Sequence, residues 1–327
     1  MASAFPAFAL TFLLAMAGLA DDEWAAINDK KAPVDRKDLD AIQAMLTKAL
    51  PKAREATVCI QLGEGSGSGV IVSEDGLVLT AAHVAGGTGK PLDVVLDDGR
   101  KLKAETLGLD ASVDCAMVRI LDKGSYPHVE VDREHSAKLG DWVFSLGHSG
   151  GYDKERGSVA RIGRIVRVAD STIQSDCTLI GGDSGGPLFD LRGRLIGIHS
   201  RVGANLQQNM HVPMKEFIRC WDAMLKGEWV AEGEFAKKPE KGKGFLGFAS
   251  ETAPDGGLRV VKVGRESPAE KGGIKAGDMI SKLNGKPLKT REELQEMMKE
   301  LCAGDKVTFD LLRDGKPETI TFRLGER

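Results

Sequence analysis

The chain has 327 residues, room for about two domains. Its 42% apolar and 28% charged side chains form a globular balance and exclude a disordered or low-complexity chain. With 45 basic and 48 acidic residues the formal net charge is −3, which excludes a nucleic-acid binder resting on a strong basic face.

Residues 1–20, MASAFPAFALTFLLAMAGLA, carry no charge and are followed at once by DDE. An apolar run ending in the small-residue boxes Ala15-Met16-Ala17 and Gly18-Leu19-Ala20 predicts a secretory signal peptide. No Lys or Arg precedes the run, and it is nearly long enough to span a bilayer, so an uncleaved anchor is the alternative. Either way the remainder is expected to be exported, periplasmic or secreted. In the N-terminal segment 21–56, Leu39, Ile42, Leu46 and Leu50 recur at helical spacing, which predicts an amphipathic helix ended by Pro51.

From Thr57 the texture changes to short apolar or alternating runs such as GVIVSEDGLVLTAAHV and LFDLRGRLIGIHS. Asp75-Gly76, Asp98-Gly99 and Arg192-Gly193-Arg194 read as hairpin tips, and strands at this spacing predict an all-β barrel or sandwich. MKEFIRCWDAML, residues 214–225, reads as a helix closing this 57–225 domain. Residues 226–243, KGEWVAEGEFAKKPEKGK, lose the periodicity and are expected to be a charged linker. A smaller α+β unit over 244–327 follows. Its helix opens on a capping box of Thr290 and Glu293 and repeats Leu294, Met297, Met298 and Leu301, and a hairpin turns at Asp314-Gly315. Cys59, Cys115, Cys177, Cys220 and Cys302 lack CxxC spacing and mostly lie in apolar runs, so they read as small buried hydrophobes.

The stretch IGGDSGGPLFD, residues 180–190, sets one hydroxyl among four glycines and a proline. Glycine costs backbone entropy, so the cluster needs a reason. A sharp loop could present Ser184 outward and turn backbone N–H groups toward a developing negative charge. A serine hydroxyl also needs an imidazole to take its proton and a carboxylate to orient that imidazole. His83 ends an apolar strand in LTAAHV, and Asp114 heads another in SVDCAMVRI. The chain order His83, Asp114, Ser184 is that of the chymotrypsin arrangement. His128, His135, His148, His199 and His211 show no metal spacing and are expected at the surface or packed in loops.

TAAHV, DCAM and GGDSGGPL together resemble the trypsin-like serine proteases, and GSGSGVIVSEDGLVLTAAHV resembles their HtrA (Deg) branch. GDWVFSLGHSGG and NMHVPMKEF fall where that branch has segments of its own. The likeness runs over roughly residues 57–220. It implies a mainly β fold, a double β-barrel protease domain followed by a small α+β PDZ-like domain. It also implies His83 as general base, Asp114 as its orienting partner, Ser184 as nucleophile, and the N–H groups of Gly182 and Ser184 as the oxyanion hole. Thr178 would lie at the base of a specificity pocket walled by Ile198, His199 and Ser200, with no carboxylate to receive Lys or Arg, so small or medium aliphatic residues are expected there. This chain departs from the branch in carrying Asp183 before the serine, where Asn is usual, and in the segment HSGGYDKERG.

The tail resembles a PDZ domain, with Phe245, Leu246, Gly247 and Phe248 as a carboxylate-binding loop and Leu294 and Met298 facing a peptide groove. The resemblance implies an endopeptidase degrading unfolded or damaged proteins, peptide C-termini held at the PDZ groove, a homotrimer, and no metal or organic cofactor. A catalytically silent binding or chaperone protein on the same fold and a processing protease dedicated to one substrate are the alternatives.

Overall fold

The computed structural model describes residues 24–326 apart from positions 64, 204–206, 239 and 255, so the leader expected over 1–20 lies outside the described residues. The chain divides into two units, Met1–Lys237 and Lys238–Arg327. Helix α1 (Arg36–Ala56) starts at Asp35, whose carboxylate accepts the Asp38 N–H and satisfies a donor of the first turn. Ile42 and Met45 are buried with Leu46 and Leu50 packed beside them, whereas Leu39 faces solvent. The helix runs through Pro51 instead of ending there. Proline keeps a helical φ and forfeits one N–H bond. Buried Ala53 and Ala56, and the Thr57 hydroxyl donating to the Ala53 carbonyl at 2.7 Å, hold the last turn.

Six strands then close the first barrel: β1 (Thr57–Leu62), β2 (Gly65–Ile71), β3 (Leu77–Thr80), β4 (Pro91–Val95), β5 (Lys101–Asp110) and β6 (Cys115–Ile120), with helix α2 (Ala82–Ala85) between β3 and β4. Their neighbour order is β5-β4-β1-β2-β3-β6, and β5 also pairs β6. Alternation explains why these strands read as continuous apolar runs. Ile71, Val78 and Val118 fill the barrel, while their chain neighbours Val70, Leu79 and Met117 point the other way into a larger core shared with the second barrel.

The second barrel comprises β7 (Trp142–Gly147), β8 (Val159–Ala169), β9 (Thr172–Ser175), β10 (Pro187–Asp190), β11 (Leu195–Val202) and β12 (Asn209–Pro213), all antiparallel and closed in the order β10-β11-β12-β9-β8-β7. Val143, Ile165 and Leu188 fill it. Phe144 and Phe189 stack at 5.0 Å in the shared core. The helix expected over 214–225 is broken at Cys220 into α3 (Met214–Arg219) and α4 (Trp221–Leu225).

Within the expected linker, β13 (Trp229–Ala231) runs parallel to β5 where β4 no longer pairs with it. The Ala111 N–H donates to the Ala231 carbonyl at 3.0 Å, and a Cβ on Gly233 would sit 2.2 Å from the Ala111 carbonyl oxygen. The charged run around it hides this strand because Trp229 and Val230 are its only large apolar residues.

The second unit holds β14 (Gly244–Phe245), β15 (Phe248–Thr252), β16 (Leu258–Val263), α5 (Pro268–Gly272), β17 (Met279–Leu283), β18 (Lys286–Pro287), α6 (Arg291–Lys299), β19 (Lys306–Arg313), β20 (Lys316–Arg323) and β21 (Gly325–Glu326). Its main sheet runs β15-β16-β17-β19-β20, which leaves β15 at an edge. Thr290 and Glu293 form the reciprocal capping box of α6. Asp314 and Gly315 turn the last hairpin with φ of 51° and 76°, the left-handed values a two-residue turn of this kind requires.

His148 is buried and packed in the loop after β7, whereas His199 and His211 are buried on β11 and β12 and lie neither at the surface nor in loops. Gly186 and Gly197 leave room for two of the rings inside the second barrel, since a Cβ there would come within 3.0 Å of the His199 ring and 3.4 Å of the His211 Cβ, and these two rings complete a polar chain. The His199 Nε2 lies 3.2 Å from the Leu146 carbonyl and must donate to it, so its Nδ1 accepts from His211 Nδ1 at 2.9 Å. The His211 Nε2 then accepts from the Ser175 hydroxyl at 2.7 Å. This chain is complete only with both rings neutral, and burial pushes both pKa values down; it also pushes His148 down to about 4.

All three folded-state values lie below the unfolded one, so the unfolded chain binds more protons in acid. Their stabilisation is complete above about pH 6.5 and is lost as pH falls toward the folded-state values, at up to about 1.4 kcal/mol per pH unit for each ring. Urea unfolding from pH 7 down to 4.5 is therefore expected to show a falling midpoint, with a shallower fall in His148→Gln. A midpoint independent of pH would contradict neutral burial.

Candidate active site

His83 lies on α2, directly beyond the end of β3, and Asp114 lies in the tight connection between β5 and β6. Asp114 adopts φ of 67°, a left-handed conformation uncommon for a residue with a Cβ. Its backbone carbonyl accepts the Ala82 N–H at 3.2 Å, which ties the connection to the start of α2. The carboxylate is fully buried and accepts from three donors. Oδ1 takes the His83 backbone N–H at 3.0 Å, and the His83 Nδ1 lies 3.0 Å from Oδ1 and 2.9 Å from Oδ2. The Ser200 hydroxyl donates to Oδ2 at 2.5 Å. An ionised carboxylate only accepts, so the neutral imidazole carries its proton on Nδ1 and keeps Nε2 free to take another. The His83 side chain is 34% exposed against 0% for Asp114, so the imidazole opens to solvent while its partner is sealed.

Ser184 comes from the second barrel, in the loop between β9 and β10. With His83, Val84, Gly182, Leu62, Gly65 and Ser66 it lines one cleft of about 310 Å³. Among the described residues its hydroxyl bonds to the Ser200 carbonyl, at 3.5 Å, and not to His83. Around it the loop's backbone is tied down. Asp183 N–H donates to the Ile180 carbonyl, Gly185 N–H to His199 and Gly186 N–H to Asp183, at 3.1, 2.7 and 2.8 Å. The N–H groups of Gly182 and Ser184 have no such acceptor among the described residues.

Three of the four glycines have steric reasons to be there. A Cβ on Gly182, which has φ of 95°, would lie 2.4 Å from the His148 carbonyl oxygen; on Gly185 it would meet the Ser68 carbonyl at 2.2 Å, and on Gly186 the Leu146 carbonyl at 2.5 Å. Gly181 meets nothing within 4 Å.

The residues expected around a specificity pocket go to different places. Thr178 is exposed, Ile198 belongs to the shared core, His199 is in the buried histidine chain, and Ser200 completes the Asp114 network. Sequence reading also missed Ser68 on β2. Its N–H donates to the Ser184 carbonyl, its hydroxyl to the Gly182 carbonyl and it accepts the His148 N–H, all at 2.8 Å, so one serine of the first barrel stitches the loop of the second. Its only signal was a polar residue alternating with glycines in GSGSG. Phe235, from the expected linker, sits with its ring 6.5 Å from that of His83 and beneath the Arg201 guanidinium.

In the second unit, Leu246 is buried in the core with Leu294, while Phe248, Met297 and Met298 are half-buried beside it. Gly247 has φ of 86°, and a Cβ there would strike Ser267 at 2.2 Å. Leu246 and Gly247 offer N–H groups without a backbone acceptor among the described residues, at the start of edge strand β15. Among the described residues no group of His, Cys, Asp and Glu side chains is arranged to hold a metal ion.

Comparison with known proteins agrees with this geometry. Residues 67–198 match the trypsin-like peptidase domain and residues 244–324 the PDZ domain. A probable periplasmic serine endoprotease, DegP-like, of Ectopseudomonas mendocina is 31% identical over 268 residues, 79% of this chain and 56% of that protein. A DegP-like relative from Pseudomonas fluorescens is 30% identical over 301 residues, 88% of this chain and 63% of the relative. The chain thus spans less than two thirds of the length of these curated relatives. A serine endoprotease structure from Yersinia pestis superposes with a TM-score of 0.51 at 25% identity, covering 86% of this chain and 98% of that one. A variant of the HtrA-type protease AlgW, solved with a tripeptide, has the same fold at a TM-score of 0.51 and 24% identity, over 86% and 97% of the two chains. Two closed barrels, the joined His83, Asp114 and Ser184 neighbourhood and the appended sheet thus coincide with these matches: the chain belongs to the HtrA/DegP-like trypsin-like serine proteases with a C-terminal PDZ domain.

Proposed function

We propose that this chain is an exported, periplasmic serine endopeptidase that degrades unfolded or damaged proteins. The observation that carries the reading is the buried Asp114 carboxylate bonded to His83 Nδ1 at 2.9 Å, with Ser184 in the cleft onto which that imidazole opens. His83 Nε2 takes the Ser184 proton as Oγ attacks the scissile carbonyl, and Asp114 stabilises the imidazolium. The N–H groups of Gly182 and Ser184 receive the oxyanion. His83 then protonates the leaving amine, and water, activated by the same ring, releases the acyl group from Ser184. The Ser184 hydroxyl must turn from the Ser200 carbonyl to reach the imidazole; such bonds are commonly loose before substrate arrives.

The second unit grips a peptide end. Free N–H groups of Leu246 and Gly247 suit a terminal carboxylate, and the open edge of β15 beside α6 suits an added strand. Leu294, being core, supports this groove from below, and Met298 and Phe248 are its side-chain walls. The tripeptide of the solved AlgW variant supports a peptide-binding role. Relatives named as periplasmic support export, and among the described residues no helix is long and apolar enough to cross a membrane. The assembly is read as a homotrimer, which light scattering of the purified protein checks.

Ser184→Ala is expected to abolish casein degradation and fluorophosphonate labelling, a fall of about a million-fold. Gly182→Ala, which forces the loop off the His148 carbonyl, is expected to lower turnover about 100- to 1,000-fold while leaving Ser184 in place. Full casein degradation by Ser184→Ala would refute the assignment. At the second unit, a fluorescent peptide with an apolar, free C-terminus is expected to bind about 10-fold or more tightly than its C-terminal amide. Equal affinities would remove the carboxylate loop from the account.

A further inference from the structure

Asp183 stands between the two N–H groups assigned to the oxyanion, yet its carboxylate points away from the cleft and is 1% exposed. Oδ1 accepts from the Ser149 hydroxyl at 2.6 Å, and Oδ2 accepts the Ile180 N–H at 2.9 Å. The cation paired with it is Arg161 on β8, whose Nη2 lies 3.1 Å from Oδ2 and also donates to the Ser149 hydroxyl at 2.9 Å. Gly147 leaves the space: a Cβ there would lie 2.5 Å from Asp183 Oδ1. A second arginine holds the layer behind. Arg156 Nη2 donates to the carbonyls of Ser149 and Gly151 at 2.6 and 3.1 Å, and Gly150 N–H donates to the Gly181 carbonyl at 2.7 Å.

A desolvated carboxylate is stable only when paired and hydrogen-bonded. Hydrogen bonds from Ser149 and Ile180 satisfy lone pairs but leave the charge, and Arg161 supplies the opposite one. Without it Asp183 would gain by swinging to water. Its Cα joins the peptide plane of the Gly182 carbonyl to that of the Ser184 N–H, so that swing would turn the Ser184 N–H out of the cleft and drag Gly182 with it. Among the described residues no hydrogen bond or ion pair joins Arg161 to His83, Asp114 or Ser184, so it reaches the site through Ser149 and Asp183.

We propose that Arg161 is a positioning residue for catalysis: by neutralising Asp183 from inside the second barrel, it holds the loop 182–184 with both N–H groups turned to the cleft. The proposal rests on the protease reading above. It makes the oxyanion loop set in the resting chain by an ion pair within one barrel.

The test compares Arg161→Met, Asp183→Asn, the double variant and Arg161→Lys in the full chain. It reads kcat and KM on a peptide substrate, fluorophosphonate labelling, and hydrogen exchange of amides 182–186. Arg161→Met is expected to lower kcat about 100-fold with little change in KM and to speed exchange in the loop. The double variant, which buries no charge at either position, is expected to return to within about 10-fold of the parent, and Arg161→Lys to fall between, since a point charge replaces a planar fork. If Arg161→Met proves too unstable to assay, the double variant still decides. An Arg161→Met enzyme with parental kcat, or a folded double variant as slow as the single, overturns the proposal. A parent protein that takes no phosphonate label ends the protease reading instead. The exchange measurement then stands alone, with faster loop exchange in Arg161→Met reversed in the double variant upholding the positioning role and unchanged exchange removing it.

Discussion

A carboxylate with no exposed surface, that of Asp114, sets the terms for the site around it. Removed from water, it must find donors for every lone pair, and the fold supplies them from three places: the His83 backbone and ring at the head of α2, and the Ser200 hydroxyl from β11. Those same bonds leave the imidazole one permitted orientation and one permitted tautomer. The left-handed φ at Asp114 is the local strain that keeps the carboxylate turned inward. Ser200 matters doubly, since its side chain bonds the Asp114 carboxylate and its carbonyl the Ser184 hydroxyl, so one residue of the second barrel touches both.

Two barrels, each closed on itself, have no strand in common and must be joined by other means. The shared core under Phe144 and Phe189 supplies non-directional cohesion, and Ser68 supplies the register. Its three bonds reach the carbonyls on either side of Asp183 and the N–H of His148. Gly185 has no room for a Cβ against the Ser68 carbonyl of the first barrel, and Gly182 and Gly186 have none against the His148 and Leu146 carbonyls of their own barrel. The glycines therefore express close packing on both sides of Ser184 more than flexibility. Arg161 and Asp183 fit the same logic from the opposite side, an ion pair placed where a buried carboxylate without its cation would draw the loop toward water.

Legibility differed by the range of the interaction concerned. Hairpin tips at Asp75-Gly76 and Asp314-Gly315, the capping box at Thr290 and the alternation in LVLT and CAMVRI are local, so they stood in the sequence itself. Misreadings came where a distant surface overrode a local preference. Leu39 keeps helical spacing but faces solvent because the packing surface lies under Ile42 and Met45, and Pro51 stays helical because Ala53 and Ala56 are buried. His199 and His211 read as surface or loop-packed residues because each alone is polar; facing one another with Ser175 and a carbonyl, they form a satisfied interior chain between strands.

The order and spacing of His83, Asp114 and the serine among its glycines, the β texture up to Met214 and the change of texture before the last unit were determined by the sequence, because nucleophile chemistry and strand periodicity are written in contiguous residues. Tertiary structure decided which serines hold the Asp114 carboxylate and the Ser184 loop, that residues 229–231 join the first barrel, and which cation lies behind Asp183. Ser68, Arg161, Ser184 and Ser200 are far apart along the chain, and the bonds among their neighbourhoods exist only once two closed barrels have been pressed together, a condition that no short window of residues can encode.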